Sequence, residues 1–190
     1  MNVEIDISEV VLLTPRLVLR AWRQSDLQDF FEYASVDGVG QMAGWHPHEN
    51  VEKSQLILDD FINGKKTFCI EYQNKAIGSL GIEKYNENEF PEYANLKGRE
   101  LGFVLSKDYW GRGIMPEAVK AVMEYCFDVV GVDFLTCGHF DWNAQSARVQ
   151  QKCGFHPVKT IDYTTRMGTH EKSVENVVFK DEFEKIRNRD

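Results

Sequence analysis

The segment Tyr109-Trp110-Gly111-Arg112-Gly113-Ile114-Met115-Pro116-Glu117-Ala118 sets two close glycines at the start of an apolar-periodic run, a pattern suited to holding an anion. Ahead of it, Glu100 to Leu105 has the apolar content of a buried strand. Behind it, Ala118, Val119, Val122, Met123, Cys126 and Phe127 recur at helical spacing. A helix opened by a glycine-rich loop points unpaired N–H groups and a partial positive charge at whatever lies in front, which makes phosphate the natural ligand. Without side chains, the glycines let that ligand approach the backbone. The loop is not a P-loop, since no Lys-Ser/Thr pair follows the second glycine, and it lacks the third glycine of a dinucleotide fingerprint. Taken alone, Gly-x-Gly fits a ligand-free strand-to-helix turn equally well.

A second strand-to-helix unit follows. Phe134 to Phe140 reads as a strand, and the stretch from Asp141 to Phe155 as a helix closed by glycine. Asp141 or Asn143 suits the start of that helix, Lys152 its last turn, and Gly154 the left-handed residue beyond its end. A phosphate loop on the first unit and Asn-x-x-Ser opening the second form a more specific pattern than either alone.

These units resemble the GCN5-related N-acetyltransferase (GNAT) superfamily, and within it the RimJ/RimL-like branch. That family writes its acyl-CoA loop Gln/Arg-x-x-Gly-x-Gly/Ala, and many members of the branch begin it with Trp. Trp110 stands at that first position, Gly113 at the glycine, and Met115 where Gly or Ala is usual. Asn143 to Phe155 is similar to the branch's Asn-x-x-Ser…Lys-x-Gly-Phe signature, and Leu13-Thr14-Pro15-Arg16-Leu17-Val18-Leu19-Arg20 to its first strand. The resemblance is strong over 98–156 and loose over the remainder of 12–180. It implies one GNAT domain over 1–190 with its core over 12–180. The fold class is α/β of the α+β type: a mixed, mostly antiparallel sheet of about seven strands flanked by about four helices.

The implied activity is direct acetyl transfer from acetyl-CoA to a primary amine, without a metal. The branch suggests the α-amine of a protein N-terminus, as on a ribosomal protein, or a small amine or amino acid. Such a reaction needs a neutral amine, a stabilised oxyanion and a proton for the departing thiolate. Deprotonating an α-amine at neutral pH costs about 1 kcal/mol, against about 4.6 for a lysine, so a weak base is adequate for the former. By resemblance, Glu100 is the first candidate base and Glu83 the reserve. Ser146 would give the sulfur its proton, and Asn143 would bind the pantetheine amide. Phe103, Val104 and Leu105 bracket the backbone oxyanion donor, while Trp110, Gly111, Arg112, Gly113, Ile114 and Met115 supply the pyrophosphate site. Each has a plainer reading. Glu100 can be a solvated carboxylate at a strand start, Asn143 and Ser146 helix caps, and Arg112 a solvated loop charge.

Composition narrows the partners. At 190 residues the chain suits one domain, and a net charge of −8 disfavours nucleic acid, which basic patches hold. The acidic start, Met1-Asn2-Val3-Glu4-Ile5-Asp6, is unlike a signal peptide, and no apolar run approaches the roughly eighteen residues of a membrane span. Cys69, Cys126, Cys137 and Cys153 have no metal-like spacing, so reduced thiols in a cytoplasmic protein are expected, as monomer or homodimer. His46-Pro47-His48 is a poor zinc pair and falls in the loop the family places beside its acceptor. His139 reads as a core histidine and Cys137 as a buried thiol with no activating partner. Two competing readings are a CoA-binding sensor without turnover and an adenine-nucleotide site. The latter lacks the Lys or acidic partner such sites use.

The elements that must position these residues follow from periodicity. Leu12 to Ala21 suits a strand, Asp26 to Tyr33 a helix after a Ser25 cap, and Val51 to Phe61 a second helix. Thr67 to Tyr72 and Lys75 to Tyr85 suit a hairpin around Gln73-Asn74, with Gly78 and Gly81 as bulges. Asn86 to Leu96 is a loop. Val158 to Thr165 and Val174 to Lys180 form a terminal hairpin, and 181–190 is expected to fray.

Overall fold

The computed structural model describes residues 1–188. Where one strand was expected over 12–21 there are two, Val11–Leu13 (β1) and Val18–Ala21 (β2), paired antiparallel. The interruption is Thr14-Pro15-Arg16: Thr14 N–H donates to Leu17 C=O at 3.0 Å and Leu17 N–H to Thr14 Oγ1 at 2.9 Å. Pro15 has no N–H for a ladder, so the chain turns there. The helix Leu27–Ala34 (α1) follows a 3₁₀ turn over Gln24–Asp26. Asp26, not Ser25, organises that start, accepting from Arg23 N–H at 2.8 Å and from both terminal nitrogens of buried Arg20 at 2.8 and 2.9 Å. Val51–Gly64 (α2) is capped by Asn50, whose side chain accepts from Lys53 N–H at 2.8 Å.

The strands Thr67–Tyr72 (β3) and Lys75–Glu83 (β4) turn on Gln73 and Asn74, both left-handed with φ of 51° and 63°, as a two-residue hairpin loop requires. Pairing jumps from Ile70↔Gly78 to Glu71↔Ala76, leaving Ile77 as the bulged residue beside Gly78. Gly81 is no bulge; it pairs regularly with Thr67 and with Gly102. Gly98–Leu105 (β5), Ile114–Glu124 (α3), Phe134–Phe140 (β6) and Ala144–Lys152 (α4) are the two expected strand-to-helix units. His156–Thr164 (β7) and His170–Phe179 (β8) form the terminal hairpin. Of the tail expected to fray, the described part is instead helical over Lys180–Arg187 (α5), because Phe183 is buried with its ring stacked on Phe127 at 5.3 Å; positions 189–190 lie outside the described residues.

Among the described residues the sheet has eight strands in the order β1-β2-β3-β4-β5-β6-β8-β7, one more than expected because the first is split. All neighbours are antiparallel except β5 and β6. Leu19, Phe68, Leu80, Leu101 and Leu135 face α3 and α5, packing with Met115, Val119, Met123 and Phe183. The opposite face meets α1 and α2 through Trp22, Phe30, Leu58 and Cys69. Farther along it, Tyr85 just beyond β4 and Phe90 and Tyr93 from the 86–96 region close over Phe134. None of the described helices is long and apolar enough to cross a membrane.

Candidate active site

The parallel pair defines the site. β5 and β6 are in register only over Gly98–Glu100 against Phe134–Thr136, and beyond that they separate. Ser106 N–H donates to Ile77 C=O on β4 at 2.8 Å. Backbone polar groups alternate sides along an extended strand, so those of Phe103 and Leu105, beyond the paired stretch, turn away from β4 into the gap. Leu105 C=O there accepts from Trp110 Nε1 at 2.9 Å, which pins the glycine loop to the end of β5. The glycines on β5 differ sharply. A Cβ on Gly98 would lie 2.3 Å from the Phe134 ring, whereas one on exposed Gly102 would meet nothing within 4 Å.

The loop turns through left-handed Gly111 and Gly113, with φ of 75° and 74°, and α3 starts at Ile114. Among the described residues the N–H groups of Gly111, Arg112, Gly113, Ile114 and Met115 donate to no acceptor, and Pro116 has none to donate. Successive free amides at a helix N-terminus are an anion cradle. Met115 does not obstruct it, because its side chain is 4% exposed and packs in the core. Arg112 points to solvent, its guanidinium over the Tyr109 ring at 5.3 Å, and does not line the cavity.

That cavity, about 460 Å³, runs between Phe103, Val104 and Leu105, the residues Trp110, Gly111 and Gly113 to Pro116, and α4. Asn143 and Ser146 both border it. Asn143 is 4% exposed; its Oδ1 accepts from Ser146 N–H at 3.1 Å, capping α4, and its Nδ2 donates to Met42 C=O at 3.1 Å. Ser146 Oγ accepts from Gln150 Nε2 at 3.1 Å, leaving its own proton available. Val39, Met42 and Ala43, from the segment between α1 and α2, complete the wall. Arg148 and Lys152 also border the cavity and were not singled out in the sequence as binding residues. The signal was their four-residue spacing, which sets both on the α4 face that carries Ala144.

Glu100 is not on the cavity wall; it lies on the α1 side of the sheet with Gly102 and Val104, beside Glu83 in register. It is partly buried rather than solvated. Burial chiefly, then the charges of Glu175 and Glu83, push its carboxyl up to about 7. Glu83 is paired with Lys66, and buried Glu175 accepts from Ser173 Oγ at 2.7 Å. A carboxylate poised near neutrality can take up a proton and pass it on.

The remaining candidates sit in packing contacts, apart from His46, which is exposed. His48 is buried, its Nδ1 2.7 Å from Ser54 Oγ, and packs against Phe30 and Trp45. Half-buried His139 places Nδ1 2.9 Å from Phe140 C=O. All four cysteines are buried and unpaired, and burial holds the Cys137 thiol well above its ordinary value. No metal-binding group of His, Cys, Asp and Glu occurs among the described residues.

A family model of the acetyltransferase (GNAT) domain matches residues 16–156. The chain is 39% identical over 153 residues to YjcK of Bacillus subtilis (strain 168), described as a probable N-acetyltransferase, with the match covering 70% of this chain and 71% of the relative. Among solved structures, a GNAT-family acetyltransferase from Bacillus anthracis superposes with a TM-score of 0.79 at 19% identity, covering 90% of this chain and 99% of its own. Mycobacterium smegmatis RimJ in complex with CoA-disulfide gives 0.71 at 18% identity, covering 90% and 87%. With the parted strands, the free amides and the family match on one stretch of chain, this protein belongs to the GNAT acetyltransferases.

Proposed function

We propose that this acetyltransferase uses acetyl-CoA and delivers the acetyl group directly to a primary amine. The acceptor is an α-amine, of a protein N-terminus or of a small amine or amino acid, as in the RimJ/RimL-like branch the sequence resembles. The observation that carries this reading is the run of free amides from Gly111 to Met115 at one end of a cavity whose wall continues to Phe103. When bound, acetyl-CoA supplies an activated thioester.

The chain's own residues then have distinct tasks. The loop amides, with Arg148 and Lys152 on the facing wall, hold the phosphates. The Phe103 N–H, turned into the gap, donates to the carbonyl oxygen as it gains charge. Glu100, from the opposite side of the sheet, takes the amine's proton, directly or through water, and Ser146 returns one to the sulfur. Asn143 is committed to capping α4 and tying Met42, so it shapes the pantetheine channel and keeps one Nδ2 hydrogen for the amide.

Thermal unfolding with acetyl-CoA, against ATP and NAD as controls, tests the donor. A hundredfold excess over Kd adds about 2.7 kcal/mol, and each kcal/mol moves the midpoint by roughly 2 to 4 °C in a domain of this size. A rise of several degrees with acetyl-CoA alone is expected, followed by acetyl transfer in a panel of α-amines. No shift at saturation would overturn the loop assignment, and binding without transfer to any amine would leave a sensor.

A further inference from the structure

The turn that splits β1 from β2 reaches the glycine loop across about a hundred residues of sequence. Arg16 Nε donates to Glu117 Oε2 at 2.6 Å, and its backbone N–H to Glu117 Oε1 at 3.0 Å. Thr14 Oγ1 donates to the same Oε1 at 2.6 Å. Arg16 Nη1 donates to the Arg112 carbonyl at 2.9 Å. One guanidinium thus grips the loop on both sides, at the carbonyl before Gly113 and at the carboxylate after Pro116. Burial opposes ionisation of Glu117, but the bonds from Thr14 and Arg16 outweigh it and hold the carboxyl below its ordinary range.

We propose that Arg16, anchored by Glu117, is a positioning residue that orients the Gly113 amide toward the CoA diphosphate; this rests on the donor assigned above. The C=O and N–H of a trans peptide point in opposite directions. Holding the Arg112 carbonyl toward Arg16 therefore turns the Gly113 N–H away from it, and Gly113 borders the cavity. Glycine at φ 74° has little of its own to resist a peptide flip, so the restraint must come from outside the loop. Without it the amide would sample orientations that cannot meet a phosphate, and binding would carry the ordering cost.

The test compares Arg16→Ala, Glu117→Ala and the double variant with wild type, using acetyl-CoA and acetylpantetheine, which lacks the diphosphate. Each single variant is expected to bind acetyl-CoA about tenfold more weakly, the loss of one charge-assisted contact. kcat at saturating acetyl-CoA and kcat/KM for acetylpantetheine should stay at the wild-type level, and the double variant should be no weaker than either single one. Unchanged acetyl-CoA affinity in the folded variants overturns the proposal, as does an equal loss with both donors. Loss in Arg16→Ala without loss in Glu117→Ala would make Arg16 a direct phosphate ligand and also overturn bracing. If Arg16→Ala fails to fold, Glu117→Ala and unliganded melting curves carry the comparison. Failure of wild type itself to bind acetyl-CoA is a separate result, which removes the donor assignment instead.

Discussion

Glu100 shows how far a side chain's chemistry depends on neighbours distant in sequence. Its position near the start of a strand is visible along the chain, though the strand begins two residues earlier at Gly98; Glu83 comes from β4 and Glu175 from β8, so the charges that perturb it meet only in the folded sheet. If Glu100 is the base, kcat/KM rises with an apparent pKa near 7, and Glu100→Gln loses about a hundredfold together with that limb of the profile. A few-fold loss with an unchanged profile would dismiss the role. The same group makes a stability prediction of definite sign. Its folded pKa lies above the ordinary 4.5, so its full contribution is present below 4.5 and is lost as pH rises through about 7. Glu100→Gln should therefore melt higher than wild type at pH 8, with the gap closing by pH 4, as calorimetry at the two pH values would show. Other residue readings shifted for the same reason. Asn143 and Ser146 are correctly placed at the head of α4, yet the Met42 carbonyl that occupies Asn143 comes from a distant loop. Arg112 turns outward onto Tyr109, a choice that Gly-Arg-Gly does not encode locally.

At the level of elements, periodicity found what local patterning controls and missed what tertiary contact decides. β6 and the β3–β4 hairpin stand where alternation and turn residues put them. Charged residues dominate the composition after Phe179, yet one buried aromatic decides that Lys180–Arg187 folds. Phe183→Ala is expected to cost about 3 kcal/mol, since it removes the ring that seats α5 on Phe127. Chemical denaturation would measure it, and a cost below about 0.5 kcal/mol, as for an exposed site, would show that α5 adds nothing. Pro15 breaks β1 from β2 inside a run that alternation alone reads as one strand, and the turn it makes carries Arg16 and Thr14 onto Glu117. Propensity can mark such a break but cannot say what the turn is for.

For the molecule as a whole, the informative quantity is the net charge of −8, which makes it a weak attractor for cations. Acceptors with several positive charges should show a KM that rises as salt goes from about 0.01 M to about 1 M, where the screening length shrinks from about 30 to about 3 Å. Uncharged-tail amines should not. Steady-state assays across salt would decide it, and a flat KM for a cationic peptide would remove any role for global charge. Fold class, the glycine turn that opens α3 and the order of the main elements are all legible in one sequence, because they follow from runs of neighbouring residues. Of the cavity's far wall only the loop between α1 and α2 is legible, by resemblance; Val39, Met42 and Ala43 within it are not, since that stretch has no motif of its own. The two glycines of β5 carry different freedoms for future sequence change. Gly98 is locked against the Phe134 ring, so drift there is barred by the core itself. Gly102 faces open space two residues from Glu100, on the side from which the base proposed above would be reached. A lineage can thus try alanine, serine or valine at that point and narrow the approach one methyl at a time, with the sheet unaware of the experiment.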